Sequence, residues 1–106
     1  MGISAEQTPH ILEISEEFQG TYTAVQAFKI QSQYSGLREF SISNGTASMY
    51  KYTDTGLKYC EISGTDISDL SNFTYNLKND EVYLLVVQPN YLSAAQVLYH
   101  HAIVFA

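Results

Sequence analysis

A chain of 106 residues, 45% hydrophobic and only 15% charged, has the material for one packed domain and not for a disordered one. Five basic against eleven acidic residues give a net charge of −6. That excludes nucleic acid and anionic membranes as partners, because phosphate binding needs clustered Lys and Arg. The single cysteine, Cys60, excludes an internal disulfide and a multi-cysteine metal knuckle.

The start, "MGISAEQTPH", has no basic or apolar region of a signal peptide, and Glu6 breaks the myristoylation pattern. Residues 1–9 read as a flexible or appended N-terminus to a single domain spanning 1–106. "GTYTAVQAFKIQ" alternates, which predicts one strand with Tyr22, Ala24, Phe28 and Ile30 on a common face. "LREFSIS" places Phe40 and Ile42 together, opposite Leu37. Asn44-Gly45 between two β-prone runs predicts a tight hairpin, since a type I′ turn needs φ > 0 at both central residues. "DTG" at 54–56 predicts a second hairpin into "LKYCEIS", followed by a loop, "GTDISDLS".

In "NFTYNL" the residues Phe73, Tyr75 and Leu77 share a face. "KND" then turns the chain into "EVYLLVVQ", which "PN" ends. In the last segment Tyr99, His101, Ile103 and Phe105 alternate, which predicts a strand from about Gln96 to Phe105. Turn signals recurring about every 8–12 residues and nine tyrosines with no tryptophan point to an all-β fold. The expected architecture is a two-sheet antiparallel β-sandwich, jelly-roll-like, of seven to eight strands about 6 residues long. No apolar run is long enough to cross a membrane as a helix.

The run Val82–Val87 is apolar at every position. Alternation buries either Tyr83, Leu85 and Val87 or Val82, Leu84 and Val86. Either choice leaves three apolar side chains pointing away from the core, to be covered by a loop or by another chain. Self-association through Val82–Val87 or through the C-terminal strand is one expectation that follows.

"FTYNLKNDEVYLLVV" resembles the closing signature of bacterial pre-peptidase C-terminal-type (PPC-like) domains: an alternating strand ending in Leu, a tight turn, Glu, then Tyr and a run ending in Val. "AFKIQSQYSGLREFSIS" and "ASMYKYTDTGLKYCEIS" are similar to the strands upstream in that family, so the resemblance spans roughly residues 20–90. Asn79-Asp80 stands where the family has a turn glycine. The resemblance implies a jelly-roll-like sandwich serving as a non-catalytic accessory module of a secreted or cell-surface protein. It also implies a glycan, collagen-like or protein ligand, sometimes with calcium.

The residues offer few catalytic groupings. Cys60 with His100 or His101 would supply a nucleophile and base, but "KYCEI" lacks a Gly-rich elbow and reads as a buried, inert Cys. His100 and His101 are adjacent, so on a strand they face opposite ways and cannot share a metal ion. Asp66 and Asp69 in "GTDISD" are the candidate calcium ligands, and turn-capping roles explain the same letters. The sequons at Asn44 and Asn72 fall in a hairpin and a strand and read as chance. Tyr50 and Tyr52 share one strand face, with Tyr59 on the partner strand. They are the candidate ligand-binding residues, against the plainer role of cross-strand packing. The expected function is a non-catalytic binding module with no cofactor. The alternative is a small free-standing acidic inhibitor or immunity-type protein, cytoplasmic, that engages a basic partner by electrostatic steering.

Overall fold

The structure is a computed structural model and describes residues 10–102. Eleven strands follow in order: β1 (Ile11–Ile14), β2 (Phe18–Tyr22), β3 (Gln26–Ile30), β4 (Gly36–Ser43), β5 (Gly45–Thr53), β6 (Gly56–Tyr59), β7 (Glu61–Ile62), β8 (Thr65–Asp66), β9 (Asn72–Leu77), β10 (Tyr83–Pro89) and β11 (Ala95–His101). A five-stranded sheet, β1-β3-β10-β5-β6, packs on a four-stranded sheet, β2-β11-β4-β9, and β7–β8 form a small separate pair. Every pairing is antiparallel except that of β1 on β3.

The expected β-sandwich is therefore present, and its connectivity has a simple origin. The antiparallel pairs β5·β6, β4·β9, β3·β10 and β2·β11 nest inside one another, like one long hairpin rolled up on itself. Rolling sends successive strands to alternate sheets, which is jelly-roll connectivity. These eight strands match the expected number. The short parallel β1 and the β7–β8 pair are additions that the sequence pattern did not announce.

The rolled topology bears out the hairpin expected at 54–56 and corrects two other local expectations. Asp54-Thr55 is the tip of the hairpin, and β5 pairs directly with β6 in the register Thr53↔Gly56. Asn44-Gly45 is not a hairpin, because β4 and β5 belong to different sheets. It is a corner between layers in which Asn44 takes φ 61 and its carbonyl accepts from the Asn90 amide. Glycine is needed at 45 for room: a Cβ there would lie 2.7 Å from the Gln88 carbonyl oxygen and 2.9 Å from the Ala95 Cβ. The single strand expected over "GTYTAVQAFKIQ" is likewise two, β2 and β3, in opposite sheets with a bend at Thr23–Val25. Tyr22 is half-buried from one sheet, Phe28 and Ile30 are fully buried from the other, and Ala24 is exposed.

The core lies between the layers. Phe28, Ile30, Met49, Tyr83, Leu85 and Val87 descend from the five-stranded sheet, and Phe40, Ile42, Phe73, Leu77, Val97 and Tyr99 rise to meet them. Phe40 stacks on Phe73 and Tyr99 at centroid distances of 4.7 and 5.0 Å, an arrangement aromatic pairs favour. Leu37 points outward as expected. β11 begins one residue before the expected strand. Ile103 and Phe105 of that strand, and the expected flexible stretch 1–9, lie outside the described residues.

Candidate functional site

The alternation of β10 resolves in favour of Tyr83, Leu85 and Val87 as the inward set, all nearly inaccessible. Val82, Leu84 and Val86 therefore point outward, and they are half-buried. Their neighbours come from the register. Leu84 stands between Lys29 and Tyr50, and Tyr50 is opposite Tyr59. Val86 stands between Ala27 and Ser48, with Ile11 beyond Ala27. At the other end the Val82 carbonyl accepts from the Tyr52 amide, and Tyr52 faces Leu57.

Two features that were separate in the sequence, the tyrosine trio and the surplus apolar residues of β10, thus form one continuous outer face. Tyr50, Tyr52 and Tyr59 are brought together as predicted. The Tyr50 and Tyr59 rings are 4.6 Å apart at 32°, and the Tyr50 hydroxyl donates to Tyr59 Oη at 3.3 Å. That hydrogen bond, followed by burial, raises the Tyr50 phenol above its ordinary value. Tyr52 is 43% exposed and Leu57 50%. Lys29, Tyr52 and Val82 line a shallow, largely apolar hollow of about 240 Å³. Charge enters this face through Lys29, which flanks Leu84 and lines the hollow, with Glu13 beyond it on β1.

Asp66 and Asp69, the candidate calcium ligands, are both exposed in the β7–β8 region. The Asp69 amide donates to Ser48 Oγ at 3.0 Å, and Asp66 pairs across from Glu61. Among the described residues no three His, Cys, Asp or Glu side chains gather where they could hold a metal ion. Cys60 lies just past β6, 2% exposed, and burial pushes its thiol up, away from the reactive thiolate. His100 and His101 sit on β11 in the other sheet, beside Glu39 and Glu16 at 3.6 Å each. The structure does not bring the thiol and the imidazoles together.

Two features escaped the sequence reading. The first is the chain's only arginine. Arg38 is fully buried, and its Nη2 donates to Glu16 Oε1 (2.9 Å), Ser32 Oγ (2.9 Å) and the Tyr34 carbonyl (3.0 Å). Among the described residues its Nε and Nη1 have no hydrogen-bond partner. Burial raises the Glu16 carboxyl, but the Gln33 amide, the Ser32 hydroxyl and Arg38 outweigh this and hold it below its ordinary value. The signal was available: Arg38 has the parity of Phe40 and Ile42, so alternation aims it at the core. The second is the β10–β11 loop tip, where Tyr91 and Leu92 are each 89% exposed and Leu92 takes φ 57. No sequence pattern marks a leucine for the left-handed region. A further cleft of about 560 Å³ is open and lined by Glu13, Lys29, Gln31, Ser32, Gln33 and Asn79 among others.

Compared with known proteins, the chain matches no family model and no curated protein sequence.

Proposed function

We propose that this chain is a non-catalytic binding module whose contact surface is the outer face of the five-stranded sheet, centred on Leu84, Tyr50, Tyr52 and Tyr59. The observation that carries the reading is the coincidence on one face of the tyrosine trio and the outward apolar residues of β10. A Tyr-rich, largely apolar patch is the composition of a protein-contact surface, and here it carries Lys29 beside Leu84. A sugar platform would need free aromatic faces, whereas Tyr50 and Tyr59 cover each other. A protein surface, collagen-like or globular, therefore fits better than a glycan. The setting beside a secreted or surface enzyme rests on the PPC-like resemblance alone.

The test is a binding screen against triple-helical collagen peptides, glycans and the proteins encoded next to this chain. Any ligand found is then measured with Tyr52→Ala, Tyr59→Ala and Leu84→Thr. Each substitution weakens binding by about tenfold or more if the face is the site, with the melting temperature of the variants recorded alongside. A ligand that binds all three as it binds the parent overturns the proposal. If Asp66→Asn and Asp69→Asn abolish binding instead, in a manner steep in salt, the acidic-inhibitor reading takes its place.

A further inference from the structure

Besides the β1–β2 crossing and the long β6–β9 passage through β7 and β8, the chain turns between the sheets at five short corners. Four carry residues suited to sharp reversal: Ser32 to Gly36 between β3 and β4, Asn44 between β4 and β5, Asn79-Asp80 between β9 and β10, and Asn90 to Ser93 between β10 and β11. The fifth, between β2 and β3, is Thr23-Ala24-Val25. It has no Gly, Pro, Asn, Asp or Ser, and two of its three residues are β-branched and favour extended backbone. Val25 is 58% exposed there. The inward residues of β2 and β3 are the even-numbered ones on both sides of the bend, and alternation lapses only over the exposed Thr23–Val25. The local sequence asks for one straight strand, and only the packing bends it.

The segment before this corner reaches the core only with half-buried side chains. From His10 to Tyr22 no residue is fully buried. β1 and β2 cover the free edges of β3 and β11 on the same side of the sandwich. They are fastened by Leu12, Ile14, Phe18 and Tyr22 resting on the core and by the Glu16–Arg38 pair. The segment also carries its own small cluster: the Phe18 and Tyr22 rings close over Gly20, where a Cβ would lie 2.9 Å from the Tyr22 ring.

We infer that a second copy of this chain is a partner through exchange of residues 10–22, with Thr23–Val25 as the hinge that straightens. Each arm lies on β3 and β11 of the other copy and makes there the contacts it makes at home. Those contacts cancel between the two forms, so the hinge decides the balance, and this hinge favours the open form. The Glu16–Arg38 pair reforms across the copies. It governs how fast arms are released and not how many are exchanged.

The experiment uses the register Leu98↔Gln19 between β11 and β2, two positions whose side chains point to solvent. Gln19→Cys and Leu98→Cys together on one chain form an internal disulfide, which establishes the register in solution. The two substitutions on separate chains are then unfolded together, refolded at millimolar protein and oxidised. A covalent heterodimer forms, because only an exchanged arm brings the two thiols together. Cys60 is buried and stays out of the reaction. Replacing the hinge by Ala24→Asn with Val25→Gly lowers the heterodimer by about tenfold, and Glu16→Gln leaves its final amount unchanged while shortening the time to reach it. A heterodimer no more abundant than the Gln19→Cys homodimer overturns the inference, and so does a yield indifferent to the hinge. Light scattering that finds the unsubstituted chain wholly monomeric after the same refolding also overturns it.

Discussion

The two outer faces of this sandwich solve the same problem with different chemistry. On the four-stranded sheet the outward positions are Gln19 and Thr21 from β2, Gln96 and His100 from β11, Glu39, Ser41 and Ser43 from β4, and Asn72, Thr74 and Asn76 from β9, interrupted by Leu37 and Leu98. On the five-stranded sheet the corresponding positions hold Ile11 and Glu13 from β1, Ala27 and Lys29 from β3, Leu84, Val86 and Gln88 from β10, Thr46, Ser48, Tyr50 and Tyr52 from β5, and Leu57 and Tyr59 from β6, so apolar and aromatic side chains outnumber polar ones there. The interior strands β4 and β11 fold well enough with a polar outer side. Centrality in a sheet therefore does not require the outer side of β10 to be apolar. The fold thus tolerates a wetted outer face, and a contact role for the tyrosine face turns on whether its apolar side chains contribute to stability.

The largest effect should come from neighbouring leucines on β10. Leu85 is fully buried, so Leu85→Ala leaves a cavity and costs about 2–5 kcal/mol. Leu84 points the other way, and Leu84→Thr keeps a strand-favouring residue and should cost less than about 1 kcal/mol. Urea unfolding of the two variants measures both. Equal losses would mean that the outer side of β10 is held for stability after all, and the contrast between the faces would lose its functional meaning.

How the faces were assigned shows what a sequence of this kind discloses. Period-two alternation gave the inward sets of β4 and β9 correctly, because each is buried on one side only. It could not choose the phase of β10, where both sides are apolar, and pairing with β3 and β5 supplied that choice. Asn44-Gly45 misled because the turn signal reports a reversal without saying whether the strands it joins become neighbours. The bend at Thr23–Val25 left no signal, since long-range packing imposes it against local preference. Of the candidate site, the tyrosine trio was legible, because one turn at Asp54-Thr55 fixes the register of Tyr50 on Tyr59. The part played by Lys29, Ala27 and Ile11 in the same face was not, since it depends on strands distant in sequence.

A smaller effect separates the ends of the sandwich from its faces. Glu16 joins the crossing between β1 and β2 to Arg38 beneath the four-stranded sheet, and its carboxyl sits below the ordinary value of 4.5. The folded state thus holds the charged form more tightly than the unfolded chain does. This contribution is complete above the unfolded value and fades as pH falls through the lower folded one. Glu16→Gln should cost roughly 1–2 kcal/mol near neutral pH and flatten the acid limb of a stability–pH profile. The alkaline limb belongs to the core: burial pushes Tyr99 up to about 12, with Arg38 opposing. Its phenolate is disfavoured in the folded state, so stability falls as pH rises above the ordinary phenol value of 10. Glu16→Gln should leave that loss in place.

Smaller still is the strain at the β10–β11 tip, which adjoins neither face. Leu92 at φ 57 occupies a region costing non-glycine residues about 1 kcal/mol or more, and Asn tolerates it better. Leu92→Asn should therefore stabilise the protein by about 0.5–1 kcal/mol, seen as a melting temperature a few degrees higher. Because Leu92 is 89% exposed, no packing is lost to offset the gain. An unchanged or lower melting temperature would show that the loop keeps its shape for reasons beyond backbone preference.

The smallest expected effect tests the acidic loop beside the tyrosine face. Calcium takes six to eight oxygen ligands, whereas Asp66 and Asp69 are two exposed carboxylates, and Asp66 faces Glu61 across β7–β8. Millimolar calcium is expected to leave the melting temperature unchanged. A site with a dissociation constant well below that concentration would instead add stability in proportion to the logarithm of ligand over dissociation constant. A rise that Asp66→Asn and Asp69→Asn both remove would reassign this loop as a metal site. It would also alter the comparison, because the Asp69 amide bonds to Ser48 on the outer side of β5, and a cation on the loop would then stiffen the margin of the tyrosine face itself.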